Sequence, residues 1–401
     1  MRLHRNLVAA VTQAVEEIFA HQQYADKVIE RTLKSNKKWG KRDRHFIAQH
    51  TYEMVRWWRL VLETANYSVD AQTTDFWYLF GVWLTLKGEE LPGWKEFQNI
   101  NPSTLRHNYE AIKNVRHIRE SIPDWIDVLG EHELGEAQWE LELTAMNQPA
   151  HTVIRTNRLK TSKTALYDWL SKEGIAFMML PWCKDAFVVK QEKSLQRSEA
   201  YKNGWFELQD AGSQLIAPFL GVKPGMNVID ACAGAGGKTL HLAALMQNKG
   251  NILAMDVNTS KLRILQQRAK RAGATIIKTQ RIPKNRHSLH NSADRILLDV
   301  PCSGLGVLKR KPDTKWKLTP DNLRNVRKTQ ANILHDYSKM LKVGGKLVYA
   351  TCSLLTSENQ VQIDRFLDQQ DGKFELVSDL ALSPYKYGFD GFYMACLERK
   401  S

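Results

Sequence analysis

Apolar residues recur at three and four residue spacing through AAVTQAVEEIFAH (9–21), RHFIAQHTYEMVRWWRLVLETA (44–65) and TTDFWYLFGVWLTLKG (73–88), with no strand-like alternation between them. That period predicts amphipathic helices and an all-α domain over residues 1–140. Pro102, Pro123 and Pro149 punctuate its later part, as helix starts or as the exit to the next domain. The basic segment SNKKWGKRDRHF (35–46) reads as a solvated loop. From His151 the period changes: HTVIRTNRLK, a helical TALYDWLSKEG and IAFMMLPWCKDAFVVK predict a small α+β unit, over 141–205. A helix ended by a turn follows in LQDAGSQLIAPFLGVKPG. Five apolar runs, NVIDAC, NILAMDV, ATIIKT, RILLDV and KLVYATC, then alternate with helical runs such as KTLHLAALMQ and SKLRILQQRAKRAG. This alternation predicts a Rossmann-like, doubly wound α/β domain over 206–401, with its ligand beyond the carboxyl ends of the strands.

Length allows these separate cores, since 401 residues exceed what one core usually fills. No run of 18 apolar residues exists and the N-terminal segment is broken by charges, which predicts a cytoplasmic protein without a membrane partner. Five cysteines, at 183, 232, 302, 352 and 396, are odd in number, widely spaced and free of CxxC or His clusters, so neither a disulfide framework nor a metal site is expected. The net charge of +14 is uneven: residues 1–150 hold 18 Lys/Arg against 21 Asp/Glu, and residues 151–401 hold 39 against 22. Residues 257–293 carry nine Lys/Arg and no acid, and KRKPDTKWK (309–317) adds a cluster with a tryptophan. Clustered cations suit a polyanion, because neutralising phosphates releases counterions; a merely solvated basic face is the plainer alternative.

The stretch DACAGAGGKTLHLA (230–243) has the glycines, lysine and threonine of a phosphate loop, but the position that needs the first glycine is Cys232. It follows a strand and opens a helix, where such sheets bind nucleotide-like ligands. Gly234, Gly236 and Gly237 permit close backbone approach. Asp256, ending the next strand, suits ribose hydroxyls. These features leave NAD and S-adenosylmethionine both open. RILLDVPCSG and KLVYATCS discriminate, by setting Asp299 and Cys302 at one strand end and Cys352 at another with one helix between. Either cysteine alone reads as core. Two thiols in one cavity have no use in hydride transfer, whereas methylation at C5 of a pyrimidine needs a thiolate at C6 and a second polar group for the closing proton transfer.

DACAGAGGKT, DVPCSG, TCSLLTSEN, KRKPDTKW, LQDAGSQL and DGFYMACLER resemble successive segments of the RNA 5-methylcytosine methyltransferases, the RsmB/NSUN (Nop/Sun) family, over roughly residues 150–401. The resemblance implies an S-adenosylmethionine-dependent domain preceded by a small RRM-like, RNA-contacting subdomain, to which IRTNRLK is similar. It implies Cys352 as nucleophile, Cys302 in product release, and Asp299 near methyl donor and base. Cys232, Ala233, Gly234, Ala235, Gly236, Gly237, Lys238 and Asp256, with Asp299, are implied as the cofactor site. Lys309, Arg310, Lys311, Lys315 and Trp316 are the expected RNA contacts, the tryptophan stacking on a base. RDRHFIAQHTYEMVRWWR (42–59) is similar to the NusB-like domain of bacterial RsmB, which points to small-subunit ribosomal RNA. Two departures stand out: the family turn CAAPGGK is CAGAGGK here, and Thr279 occupies the place of an adenine-binding acid. They keep a non-catalytic RNA-binding or assembly factor in view, and an NAD enzyme is disfavoured by the unexplained thiols.

Overall fold

The computed structural model describes residues 3–67, 75–190, 195–283 and 285–401. Thr73 and Thr74 of the third helical run, residues 191–194 of the small unit and Lys284 of the basic run lie outside them. The chain forms two compact units, one of residues 1–148 with 308–319 and one of residues 149–307 with 320–401.

The first unit is helical: Arg5–Phe19, Ala25–Ser35, Lys41–Arg56, Trp58–Thr64, Phe76–Leu86, Pro102–Ile112, Asp124–Leu134 and Glu136–Met146 are its longer helices. Side chains set several starts. Asp75 accepts the amides of Trp77 and Tyr78, and Asn101 accepts those of Ser103 and Thr104 ahead of a helix that begins on Pro102. The long apolar run 44–65 divides at Trp57, whose φ of −102° and ψ of 20° leave helical geometry. The basic segment 35–46 is a loop only in its first half, because a helix begins at Lys41 with the Asp43 carboxylate accepting the Gly40 amide at 2.9 Å. Val11, Val15, Phe46, Met54, Phe80 and Trp83 fill the core.

Residues 308–319 belong to this unit by their hydrogen bonds. Arg56, 4% exposed, donates to the carbonyls of Met146 at 3.2 Å, Leu308 at 3.3 Å and Lys309 at 2.9 Å. Lys315 donates to the Arg56 carbonyl at 2.9 Å, the Trp316 indole to the Val55 carbonyl at 2.7 Å, and the Asp313 carboxylate accepts the amide of Ala25 at 3.0 Å. The expectation that Lys309–Trp316 form one RNA-contacting patch is therefore corrected for most of its members. Lys309 and Lys315 are buried, Trp316 packs on the helical core, Arg310 is half-buried and Lys311 is exposed. The reason is desolvation: a buried ammonium needs a carbonyl partner, and once it has one it is turned away from solvent phosphate. Burial, then the charge of Arg56, hold Lys315 well below the usual lysine range.

The second unit contains two sheets. β1 (Thr152–Thr156), β2 (Phe177–Leu180), β3 (Cys183–Val189) and β4 (Phe206–Leu208) form an antiparallel sheet in the order β2-β3-β1-β4. The helix Lys163–Lys172 covers one face, burying Leu166 and Leu170 against Ile154, Phe187 and Phe206. The larger sheet holds β5 (Asn227–Asp230), β6 (Asn251–Asp256), β7 (Ile277–Arg281), β8 (Ala293–Asp299), β9 (Leu341–Thr351), β10 (Phe374–Leu382) and β11 (Phe392–Arg399) in the order β10-β11-β9-β8-β5-β6-β7. β9-β8-β5-β6-β7 are parallel. Val228, Leu297 and Val348 face one core while Ile229, Leu298 and Tyr349 face the other, which is why these strands are continuous apolar runs. The Rossmann-like, doubly wound expectation holds, with two additions. β7 begins three residues after the start of ATIIKT, and β11 inserts antiparallel between β9 and β10. Among the described residues no helix is long and apolar enough to cross a membrane.

Arg56→Met should destabilise the helical unit by about 2–4 kcal/mol, because it strands the carbonyls that the guanidinium bonds. Urea unfolding followed by tryptophan fluorescence measures this; a midpoint equal to that of the parent chain would contradict the assigned role.

Candidate cofactor cavity and cysteine pair

The carboxyl ends of β5, β6 and β8 open on a cavity of about 480 Å³. β5 delivers Asp230, fully buried, whose Oδ2 accepts the Thr239 hydroxyl at 2.7 Å while Oδ1 has no protein partner. Burial pushes this carboxyl up to about 7, against the hydrogen bond from Thr239. The turn after it needs glycine at two points. Gly234 has φ of 53°, and Gly236 has φ of 85° with a hypothetical Cβ only 2.5 Å from Leu265 Cγ. The helix Gly237–Leu245 starts there, leaving its first amides directed at the cavity end of the sheet. Asp256, at the end of β6, accepts the Gly234 amide at 2.8 Å and the Asn258 amide at 2.7 Å, so it ties the turn to the neighbouring strand. Lys238 donates to Asp299 Oδ2 at 2.8 Å. Burial opposes the ammonium, but Asp299, with lesser help from Cys352 and Asp230, outweighs it and holds Lys238 above its ordinary range.

β8 and β9 are hydrogen-bonded neighbours, and each runs into a cysteine loop. The two sulfurs, both free, lie 3.1 Å apart, and the Cys352 amide donates to Cys302 Sγ at 3.3 Å. The serine after each cysteine is held by one carboxylate. Glu358, 0% exposed, accepts the Ser303 amide at 2.8 Å, the Ser303 hydroxyl at 2.5 Å, the Ser353 hydroxyl at 2.5 Å and the Gln330 amide at 2.9 Å. The hydrogen bond with Cys352, burial, the charge of Cys352 and then that of Glu358 all push the Cys302 thiol well above its usual range. Lys238, whose field reaches Cys352, is the nearby cation that the sequence alone leaves unnamed.

The cavity wall takes in Cys232, Ala233, Gly234, Ala235, Gly237, Lys238, Asp256 and Asp299, and continues through Val300 and Pro301; Cys302, the next residue, and Cys352 are not among its lining residues. Gly236 shapes the turn from behind. Thr279 is not part of the wall: it sits in the middle of the sheet's edge strand, where its hydroxyl accepts from Gln266 at 2.6 Å. The wall also includes side chains that sequence reasoning missed. Val257, 72% exposed, and Ile282 offer the cavity an uncovered apolar surface, and Gln209, Ser213 and Tyr337 complete other walls. An apolar residue just past a strand end was the available signal for Val257 and Ile282. Glu358 was also missed, although an acid inside TCSLLTSEN was visible. Cys183 and Cys396 are buried core residues, and no group of three His, Cys, Asp or Glu among the described residues can hold a metal ion.

Residues 217–398 match the family described as 16S rRNA methyltransferase RsmB/F, and residues 122–196 match the ferredoxin-like domain of RsmF/B-like methyltransferases. A probable ribosomal RNA small subunit methyltransferase B of Bacillus subtilis is 33% identical over 299 residues, covering 70% of this chain and 65% of its own length. The protein of the same description from Synechocystis is 34% identical over 301 residues, 70% of this chain and 67% of its own. The chain thus spans about two thirds of these relatives. A methyltransferase homolog from Pyrococcus horikoshii, known from its crystal structure, superposes with a TM-score of 0.64 at 29% identity, over 71% of this chain and 98% of that one. With a cavity and a cysteine pair on a sheet of this order, and with these relatives, the chain belongs to the RsmB/F family of methyltransferases.

Proposed function

We propose that this chain transfers a methyl group from S-adenosylmethionine to C5 of a cytosine in small-subunit ribosomal RNA. The observation that carries the reading is the 3.1 Å approach of Cys302 and Cys352 at the ends of adjacent strands beside the cavity. The names of the relatives support ribosomal RNA as substrate. The residues present fit the methyl donor: an orphaned buried carboxylate oxygen on Asp230, an acid on Asp256 for the ribose, and apolar surface on Val257 and Ile282 for the adenine in place of the missing acid. When bound, S-adenosylmethionine supplies an electrophilic methyl group.

The chain's residues supply the rest. The Cys352 thiolate adds to C6, and the electron pair of the C5–C6 double bond makes C5 nucleophilic. Lys238 places a positive charge whose field reaches Cys352, and it orients Asp299 in the cavity wall. After C5 carries the methyl group, the Cys302 thiolate removes the C5 proton; that C–H pair re-forms the double bond and expels Cys352 as thiolate. Methyl transfer is assigned to residues 206–401 and RNA contact to the small unit at 141–205. The target is an unpaired or extruded nucleotide, because a duplex hides this carbon. Of the basic cluster, exposed Lys311 suits a phosphate.

Cys302→Ala incubated with RNA and S-adenosylmethionine should accumulate a covalent protein–RNA adduct on denaturing gels, and Cys352→Ala should give none. The reverse pattern would exchange the two roles. Once Cys352 is bonded to C6, burial and the charge of Glu358 still raise the Cys302 thiol, so little thiolate is present at neutral pH and that fraction grows about tenfold per unit below the pKa. Turnover at saturating substrates should therefore climb steeply from pH 7 to 9. A flat profile in that range, measured by tritium release from C5-labelled RNA, would remove Cys302 as the base.

A further inference from the structure

The motif IRTNRLK suggests RNA contact on sequence grounds, and Arg158 and Lys160 are exposed, but Arg155 and Asn157 are buried. Arg155, on β1 and 1% exposed, donates through Nη1 to the Gly237 carbonyl at 2.9 Å and to Gln209 Oε1. Gln209 in turn donates to the Ser213 hydroxyl at 3.0 Å, and both residues line the cavity. Asn157 donates to the carbonyls of Gly204 at 2.7 Å and Ala272 at 2.8 Å, fixing β1 against the helix Thr259–Ala272. Opposite Arg155 in the β1–β4 register stands Glu207, also 1% exposed. Its carboxylate accepts Arg268 Nη2 at 2.8 Å and Arg271 on its other oxygen. Arg268 then extends Nη1 to the Ala235 carbonyl at 2.8 Å. Two guanidinium groups, both anchored at the small sheet, thus grip two carbonyls of the glycine-rich turn.

We propose that Arg155 and Arg268 are positioning residues for the methyl-donor turn, so that the small antiparallel sheet sets the affinity of the cavity for S-adenosylmethionine. The turn has two residues at positive φ and no proline, so its unbound backbone has many conformations to lose on ordering. A peptide unit is planar, and holding the Gly237 oxygen fixes the direction of the Lys238 amide in the first turn of the helix. Charge-assisted bonds in a buried setting are strong enough to impose that order. Burial lowers Arg155 to about 10, with Glu207 working against the fall, so the guanidinium remains charged at neutral pH. The carbonyls of Ala235 and Gly237 are held from outside the cavity, which leaves its interior to the ligand.

This inference rests on the cavity being the S-adenosylmethionine site and is independent of the cytosine chemistry. Calorimetry of the full chain with S-adenosylmethionine tests it, using Arg268→Gln, Arg155→Lys and, as control, Arg271→Gln, which also loses a bond to Glu207 but touches no turn carbonyl. Arg268→Gln and Arg155→Lys should each weaken binding about tenfold or more, with Arg271→Gln within about twofold of the parent. The KM for S-adenosylmethionine should rise in the same two variants while kcat at saturation stays within about twofold. Binding by folded Arg268→Gln as tight as that of the parent, or equal losses in all three variants, would overturn the proposal. Should Arg155→Lys fail to fold, the comparison of Arg268→Gln with Arg271→Gln decides alone. A parent chain that binds no S-adenosylmethionine at millimolar concentration would instead remove the cofactor reading, and this proposal with it.

Discussion

One buried carboxylate governs the geometry of the reactive end of the sheet. Glu358 has no solvent to turn to, so its charge is tolerated only while the Ser303 amide, both serine hydroxyls and Gln330 all donate to it. Because those serines directly follow Cys302 and Cys352, separating the two loops would strand a charge in the interior. Parallel pairing of β8 and β9 brings the loops near each other, and the carboxylate converts nearness into contact between sulfurs. Gly306 extends the constraint: its amide donates to the Cys352 carbonyl at 2.9 Å, and a Cβ there would sit 2.4 Å from the Gly391 carbonyl. The strand ends here are fixed from two sides.

The cofactor side obeys a related rule with opposite charges. Acids and backbone amides face the cavity at Asp230, Asp256 and the helix start, while arginines reach the same turn from behind. The cysteine pair and the cavity turn meet at Lys238, which bonds Asp299 and lies within reach of the Cys352 field. The turn, which has no proline to stiffen it, is held instead by side-chain bonds to its carbonyls.

Much of this was legible in the sequence. Parallel strands buried on both faces must be apolar throughout, so β5, β6, β8 and β9 announce themselves, and the thiols at two of their ends follow from the crossover rule. Residues whose meaning depends on burial were misread or missed. Lys315 and Trp316 look like a nucleic-acid patch because charge and aromaticity are visible in a string, whereas the carbonyls of Arg56 and Val55 that satisfy them are some 260 residues away. Arg268 and Arg271 similarly sit in a run of nine cations, yet both are committed to Glu207. β10 is mostly exposed and so lacks a buried apolar run to signal it, β11 follows it as an antiparallel neighbour without a crossover, and Glu358 has the same letter as any surface acid.

The placement of residues 308–319 in the helical unit has a consequence for biosynthesis. A ribosome finishes residues 1–148 long before it reaches residue 319, and at roughly 5–20 residues per second the interval is on the order of ten to thirty seconds. Throughout it the nascent helices hold Arg56 without the carbonyls of Leu308 and Lys309, and the first residue of the second helix without Asp313. Completion of the helical unit is therefore timed by the emergence of the segment just past Cys302, so a part of the chain made before the larger sheet is finished only after most of that sheet's parallel strands have been made.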